Sequence, residues 1–453
     1  MAGLSFGLGM GLGSPRGSTG EPAPDPIYNY YVASTGNDSN DGSAGSPFAT
    51  LLKLASVMQT GANDSTTTAF IASGTYSDDQ FLPNTLTREN VRMLLFFEEG
   101  CTLSGGATTQ AGNDSAFDSG GIGSEIIIYG AGLRITGYTT GTGNGLGASG
   151  QGKIYAYDCN VDNCIDGFSV HADSYGEAYR CNFSQCIKSC VAHVNNSSSY
   201  HEDCVFTGHD SISMTAGLVS VNTPFAHEFV RCKWVPTAVN RKGLTNANSN
   251  GPTLNILLRE CELGTLSEYI NITSSDYSGI VVEDSFVNIS GTDGHNMFTL
   301  RRCYGFISIR KRGTTEGIVI ENSILGGADP DATQDSLMWR ASNLGASPFT
   351  VVNSIITGYT TAIGAAFDAA NAAGQIDAPT EISYCCLFGN TTNFHSTWTA
   401  DDGFAAAVHD NITSDPLIGD MSSTNKADWG YGPGSPCIGA GSSGGNIGFA
   451  ASE

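Results

Sequence analysis

Charged residues, and basic ones above all, are scarce in this chain of 453 residues. They make up 14% of the sequence, where about 25% is usual. Only 20 Lys and Arg stand against 44 Asp and Glu, which gives a net charge of −24. A surface this negative repels nucleic-acid phosphates and anionic membranes, so the charge disfavours binding to either. Neutral glycans, cations and basic protein surfaces remain compatible partners.

Long apolar runs are also missing. No unbroken run exceeds the five residues Met93–Phe97, whereas a membrane-spanning helix needs about 20. The 13 cysteines are odd in number and lack the paired short spacings of a zinc site. We therefore expect reduced thiols, no metal ion and no cofactor. A hydrophobic fraction of 40% still suffices for a core and excludes a charge-rich disordered chain.

Glycine is abundant, and a short string recurs with Cys or Ser at its centre. The string is AYDCNV at 156–161, AYRCNF at 178–183 and FVRCKW at 229–234. Its centres, 18 to 32 residues apart, are Cys159, Cys181, Cys204, Cys232, Cys261, Ser285, Cys303, Ser323, Ser354 and Cys386. Irregular periods of this length indicate a solenoid. Helical periodicity and regular leucines are missing, so the pattern predicts an all-β parallel β-helix.

Each position of the string has a predicted place in a coil. Apolar residues recur three residues before the centre of the string and two residues after it. These should point inward, as at Phe229, Trp234 and Phe388. The residue just before the centre, such as Asp158 or Arg180, should lie outward at a left-handed bend. Alternating charges there predict ion pairs between rungs. The small Cys or Ser should fill an inner corner. Cys164 and Cys186 are 22 residues apart, as are Cys159 and Cys181.

The two ends of the chain carry different signals. Residues 1–26 alternate apolar residues with glycine and end in a proline-rich spacer, without the charge and solid apolar core of a signal peptide. They are either a disordered tail or an extended peptide that docks on a larger assembly. Residues 27–76 should form a cap, in which Phe48, Leu51, Leu52, Leu54 and Ala55 cover the open end of the coil. The β-helix should occupy 77–390, and 391–453 should close it.

Two segments resemble a known family. The string YYVASTGNDSNDGSAGSPFATLLKLA at 30–55 and the segment GSPCIGAG with its following NIG resemble the first and closing motifs of pectate-lyase-like β-helix proteins. The resemblance covers about 30–450 and implies a right-handed, single-stranded parallel β-helix with a short N-terminal capping helix. It does not specify an activity, because this fold hosts lyases, hydrolases, adhesins and viral spikes.

The start of the chain has a second, shorter resemblance. MAGLSFGLGMGLGS is similar to the N-termini of tailed-phage virion proteins, which attach to the particle by such a peptide. Together the two resemblances imply a homotrimeric phage tailspike or tail fibre on the virion, bound to other virion proteins and contacting host-surface polysaccharide. A polysaccharide-degrading lyase or hydrolase and a capsid decoration protein are the alternatives.

Polysaccharide cleavage would need clustered carboxylates, as an acid–base pair or as a calcium site beside a basic residue. The acidic candidates are Asp158, Asp162, Asp166, Asp173, Glu177, Glu202, Asp203, Glu260, Glu262, Glu283 and Asp284. We favour the interpretation that they are solvated bend residues paired with Arg180, Arg231 and Arg302. No recognised string surrounds the nearby lysines, which are Lys153, Lys188, Lys233 and Lys242. Catalytic residues are therefore left unassigned.

Other polar and aromatic groups give weaker signals. The loop 37–42 has calcium-type oxygens but lacks the closing Glu, which favours a solvated turn. His193, His201, His209 and His227 are expected to be surface or turn residues. Aromatic rings stack on the apolar faces of sugars. Candidates for this role are Tyr155, Tyr157, Tyr175, Tyr179, Tyr200 and Trp234. Tyr157 and Tyr179 occupy equivalent rung positions and form either an exposed stack or a subunit interface.

Overall fold

A computed structural model describes most of the chain. The described residues are 28–60, 64–77, 89–106, 115–141, 143–194, 197–207, 212–215, 227–235, 244–246, 255–266, 270–272, 279–294, 297–311, 317–326, 336–340, 349–363, 380–394 and 404–449. The predicted docking peptide 1–26, Lys242 and His209 lie outside them. No helix in these residues is long and apolar enough to cross a membrane.

Short strands pair in parallel along three faces, which makes the described chain an all-β parallel β-helix. The first face comprises Tyr30–Val32, Thr66–Ile71, Arg92–Phe97, Glu125–Tyr129, Lys153–Tyr157, Tyr175–Tyr179, Ser198–Glu202, His227–Val230, Asn255–Arg259, Gly279–Glu283, Met297–Arg301, Ile318–Glu321, Phe349–Val352, Glu381–Ser383 and Val408–His409.

The other two faces follow the first in most of the coils. The second face comprises Thr75–Ser77, Thr102–Ser104, Arg134–Thr136, Asn160–Asp162, Asn182–Ser184, Val205–Thr207, Lys233–Val235, Glu262–Leu266, Phe286–Gly294, Tyr304–Lys311, Ile324–Gly326, Ile355–Thr357 and Cys386–Phe388. The third face comprises Phe117–Ser119, Asn144–Ala148, Asp166–His171, Ser189–Val194, Ile212–Thr215, Leu244–Asn246, Ile270–Ile272, Ser336–Arg340, Thr361–Ile363 and Thr392–Phe394. Phe286–Gly294 and Tyr304–Lys311 continue from the second face into the third.

The bend between the first and second faces confirms the predicted string. The residues before the small centre have left-handed backbones with φ between 49° and 57°: Asp158, Arg180, Asp203, Arg231, Glu260, Asp284, Arg302, Asn322 and Asn353. The predicted inward residues, such as Phe229 and Trp234, are buried. Cys164 and Cys186 follow a second left-handed position, at Asn163 and Gln185, and are buried in the same way. The sequence period is therefore the rung of the coil.

The inner corner column differs from the prediction at both ends. Tyr384 is the left-handed residue of the last of these bends, so Cys385, not Cys386, occupies the corner, and Leu387, not Phe388, is the inward residue. The adjacent cysteines in YCCLF had concealed this shift of one residue. Cys101 and Leu133 extend the column in the other direction. All thirteen thiols are buried and free.

The N-terminal helix Leu51–Met58 packs on the first rung. Thr50 caps it, and its buried residues Leu51 and Leu54 join the same core as Phe48. The prediction for Leu52 was wrong, because 55% of this residue is exposed and it lies on the opposite side of the helix. The helix therefore covers the apolar interior with one face only, as its 3.6-residue period requires.

The C-terminal residues do more than end the coil. After the helix Phe404–Ala407 and the strand Val408–His409, the chain turns back over the outer side of the second face. This segment, residues 414–449, contains the helices Lys426–Trp429 and Ser442–Gly444, and we call it the strap. The strap residues Trp429, Tyr431, Cys437, Ile447 and Phe449 form one buried cluster with the outward side chains Phe286, Tyr304, Ile324, Ile355 and Cys386.

Candidate functional site

Six aromatic side chains form one column on the outer side of the first face, which we call the aromatic ladder. Its members, in register from rung to rung, are Tyr31, Phe70, Phe96, Tyr129, Tyr157 and Tyr179. All six are half-buried. Five rung spacings of about 4.8 Å make the column roughly 24 Å long. In the next rung Glu202 takes the same position.

The rings in the second half of the ladder are nearly parallel. The centroids of Phe96 and Tyr129 are 4.6 Å apart with an interplanar angle of 13°. Those of Tyr129 and Tyr157 are 5.2 Å apart at 12°, and those of Tyr157 and Tyr179 are 4.8 Å apart at 5°. Tyr157 and Tyr179 thus belong to a stack of four half-buried rings that begins at Phe96. Trp234 is not part of it, because it is buried in the core.

Carboxylates beside the ladder are already engaged by neighbouring side chains. Glu177 accepts hydrogen bonds from the Tyr175 hydroxyl, at 2.7 Å, and from the Tyr179 hydroxyl. Glu202 accepts one from the Tyr200 hydroxyl at 3.0 Å. These contacts fix the phenols and leave further carboxylate lone pairs for other donors.

Salt bridges hold the edge of the same surface. The Lys153 ammonium lies 3.0 Å from one Glu125 oxygen, and the Arg92 guanidinium lies 3.4 Å from the other. Lys153 is one of the lysines weighed in the sequence as a base, and here it is paired with an acid. The surface therefore combines fixed rings with fixed polar groups.

The tyrosines around Glu177 are protonated donors. Burial, followed by the charge and hydrogen bonding of nearby carboxylates, raises the pKa values of Tyr155, Tyr175, Tyr179 and Tyr200 well above the ordinary value. A phenol with a raised pKa does not act as a base near neutral pH. The surface is therefore suited to stacking and hydrogen bonding with sugar rings rather than to proton abstraction.

The acidic residues of the bends are paired, as the favoured interpretation predicted. Asp158 binds Arg180 at 2.7 Å, Asp203 binds Arg231 at 2.8 Å and Asp284 binds Arg302 at 2.7 Å. Two further candidates, Asp162 and Glu262, pair with Arg134 and Lys233 respectively, and Glu283 lies between Arg259 and Arg301. Asp173 and Glu260 occupy left-handed bends. These carboxylates are not brought together as one acid–base pair.

A polar patch on the third face was missed in the sequence. Asp118, Gly147 and Ser169 follow one another in the outward column, so Gly147 leaves no side chain between the other two. Ser149 donates to Asp118 over 3.1 Å, and Ser169 hydrogen bonds to His171. Burial raises the pKa of Asp118 to about 6. A carboxyl with such a pKa suits a proton donor.

Asp166 lies close to this patch and is the one acidic candidate with a raised pKa. It is buried, which raises its pKa, and it accepts a hydrogen bond from Ser189. Burial also lowers the pKa of His171, although the charge of Asp166 opposes this effect. Only the period-2 alternation of the strand could have indicated the patch, because the segments FDS and NGLGA carry no recognised motif.

The prediction for two histidines was wrong. His201 and His227 are completely buried rather than at the surface. The His201 ring stacks on Phe229 at 4.7 Å, and Ser199 connects the two imidazoles through distances of 3.2 Å. Burial lowers both pKa values to about 3, with an added effect of His227 on His201. They belong to the core. The side chain of His193 lies outside the described residues.

The oxygens of the loop 37–42 are used within the loop and its surroundings. Asp38 accepts hydrogen bonds from the backbone of Ala49 and Thr50 and from the Thr50 hydroxyl, so it positions the start of the helix. Asn37 and Asp41 accept from Ser39 and Ser43. Among the described residues, no group of three or more His, Cys, Asp or Glu side chains is arranged to hold a metal ion.

Comparisons with known proteins add little to this geometry. Among solved structures, a rhamnogalacturonan lyase is similar at 11% sequence identity and a TM-score of 0.26, over 79% of this chain and 87% of that chain. A likeness at this score carries no argument about activity, and the fold assignment rests on the strand ladders. No protein-family model and no curated protein matches the chain.

Proposed function

We propose that this protein is a glycan-binding β-helix whose aromatic ladder contacts a polysaccharide chain. The observation that carries the proposal is the outward column of six aromatic rings from Tyr31 to Tyr179, in which the four rings from Phe96 to Tyr179 are stacked nearly in parallel. Aromatic rings present flat apolar area of the kind that sugar rings cover, and the adjacent phenols and carboxylates supply hydrogen-bonding groups. A column along the coil axis matches an extended chain of repeating units rather than a single small molecule.

The larger setting that we propose is a phage tailspike or tail fibre. The resemblance of the N-terminal peptide to those of virion proteins supports this part, together with the acidic surface, which is compatible with glycans. In this proposal residues 1–26 attach the protein to the particle, and three copies associate. Deletion of 1–26 should abolish incorporation into particles while the β-helix stays folded. Incorporation of the truncated protein would contradict the docking role.

The ladder is tested by removing one ring from its middle. Tyr157→Ala opens a gap between Tyr129 and Tyr179 and should weaken binding by roughly two- to tenfold, because a lost aromatic contact costs roughly 0.5–1.5 kcal/mol. Tyr157→Phe keeps the ring and should bind almost normally. Tyr384→Ala, which removes a half-buried tyrosine from a bend near the other end of the coil, is the matched control.

Binding is measured on immobilised neutral and uronic-acid-containing bacterial polysaccharides. Mass measurement in solution should be made in parallel, because the ladder is also flat enough to be a subunit interface. If Tyr157→Ala turns an oligomer into a monomer and leaves polysaccharide binding intact, the ladder is an interface and the proposal fails.

A polysaccharide-degrading enzyme is the second candidate, favoured by one observation. Asp118 has a raised pKa and lies on the third face near the Ser169–His171 pair. Incubation with the polysaccharide that binds best would release unsaturated, ultraviolet-absorbing products from a lyase and only new reducing ends from a hydrolase. Asp118→Asn should then abolish the release. A polysaccharide that is bound and remains intact would eliminate this candidate.

A further inference from the structure

A cavity lies far from the ladder, where the strap meets the outer side of the coil. Its volume is about 480 Å³, which falls within the usual range for small-ligand sites. Asp284, Arg302 and Asn322 line it from three successive bends, and Lys426, Asn446 and Phe449 line it from the strap. The cavity exists only because the strap folds back, so both parts of the chain contribute to it.

The side chains that line the cavity, Arg302, Lys426 and Asp284, carry one excess formal positive charge. Asp284 accepts hydrogen bonds from Arg302 at 2.7 Å and from Lys426 at 3.2 Å, so two cations share a single carboxylate. Partial burial acts to raise the pKa of Asp284, but the bonds from Arg302 and Lys426 outweigh it and the pKa is lowered. The carboxylate is therefore ionised near neutral pH. A local positive charge is uncommon in a chain whose net charge is −24.

Several donors in the cavity have capacity left. Arg302 binds Asp284 through Nε and Nη2, which leaves Nη1 without a partner among the described residues. The amide of Asn322 also has no side-chain hydrogen bond within the part of the chain that the structure describes. The Lys426 ammonium lies 5.0 Å from the ring centroid of Phe449 and has two further N–H groups. Arg302 and Lys426 therefore retain N–H groups for a further acceptor.

We propose that this cavity binds a sugar that bears one carboxylate, such as a hexuronate. A single negative charge matches the single excess positive charge, whereas a phosphate of about −1.5 to −2 would stay partly uncompensated. Guanidinium groups bind carboxylates strongly, and Arg302 has a free edge. The cavity is much larger than a carboxylate, and the amide of Asn322 and the strap backbone at Gly445 and Gly448 line the remaining space, which a sugar ring would occupy.

This site is independent of the aromatic ladder. The ladder lies in the rungs before Glu202 on the first face, whereas the cavity begins at the bend of Asp284 and faces the strap. A protein that binds no polymer through its ladder can still bind the monosaccharide here, so the two proposals fail separately.

The test uses the full chain and sodium glucuronate as the probe, with binding followed by calorimetry or NMR. Glucose, sodium acetate and sodium phosphate are the comparison ligands. Glucuronate should saturate the protein, while glucose and acetate should bind at least about tenfold more weakly, because each lacks one half of the contacts. Equal binding of acetate, or tighter binding of phosphate, would overturn the assignment.

A substitution on the coil side separates binding from strap docking. Asn322→Asp neutralises the excess charge, keeps the size of the side chain and suits the left-handed bend. It should weaken glucuronate binding at least about tenfold by removing a favourable charge. Asn182→Asp places the same charge on an exposed outward position of the second face and should leave binding unchanged. Unchanged binding in Asn322→Asp would contradict the site.

Discussion

Two imidazoles in the core make stability depend on pH. His201 and His227 are neutral when folded, because burial lowers their pKa values to about 3. In the unfolded chain the ordinary value is about 6.5, so below that pH only the unfolded state takes up protons. Folding stability is therefore complete above pH 6.5 and decreases as the pH falls towards 3.

We expect the free energy of unfolding to drop by about 2 kcal/mol per histidine between pH 7 and pH 5. Urea unfolding followed by tryptophan fluorescence measures this. His201→Phe keeps a stacking ring against Phe229 and should make the pH dependence shallower by about half of the combined effect. A variant that retains the full pH dependence would show that other groups cause it.

For individual residues, the sequence predicted much of the geometry. The bends from Asp158 to Asn353 are where the repeat placed them, because a left-handed residue before a small buried one leaves a visible string. The buried histidines could not be identified, since imidazole occurs in cores and on surfaces alike and only Ser199 and Phe229 decide its place. The ladder was seen only at Tyr157 and Tyr179, because Phe96 lies in an apolar run that hides the alternation.

Among the elements, the strap is the least expected. Apart from Val205, the outward column of the second face is polar from Asn160 to Glu262, at Asn160, Asn182, Lys233 and Glu262, and it becomes apolar or aromatic from Phe286 onwards. That change is visible in the sequence once the register is known. It marks where residues 414–449 cover the coil. The segment GPGSPCIGAG resembled a closing motif, and the resemblance did not indicate which surface it would cover.

Gly448 allows the strap to approach closely. Its φ is +72°, and a Cβ there would lie 3.0 Å from Ile324 and 3.1 Å from Ile355. Gly448→Ala should therefore weaken strap docking by about 1–3 kcal/mol through crowding, in addition to the backbone strain. Exchange of the backbone amides should become faster in residues 414–449 and in the strand Ile324–Gly326, which the strap covers.

Gly444→Ala is the control for this experiment. Its φ is +75°, but no atom lies within 4 Å of the added Cβ. It shares the conformational strain with Gly448→Ala and lacks the crowding. If the two variants loosen the strap equally, close approach at Gly448 is not what limits docking.

As a whole molecule the protein is a stack in which each rung contacts its two neighbours. Folding energy in such a stack is local, and a defect should spread only to adjacent rungs. The sequence predicted this architecture from the period of its repeated string, together with the missing helical periodicity and regular leucines. It could not predict the third-face patch or the cavity at Asp284, because both depend on rungs and segments that are distant in the chain.

Phe183→Ala tests how far a defect travels. Phe183 is fully buried and lies between Phe168 and Phe206, so its loss should cost about 3–5 kcal/mol. Hydrogen exchange should increase in Asn160–Asp162 and Val205–Thr207 and stay unchanged in Ile324–Gly326. Phe183→Leu should show a smaller effect in the same places. A uniform increase along the whole coil would indicate one cooperative unit instead.

The buried thiols allow the unfolding of individual rungs to be followed by chemical labelling. Eight of the thirteen cysteines mark the inner corner of eight rungs, from Cys101 to Cys385, and every one is sealed from water. An alkylating reagent therefore gains a target only when a particular turn opens, and each adduct adds a fixed mass. Peptide mapping of the adducts over time would record the order in which the turns come apart.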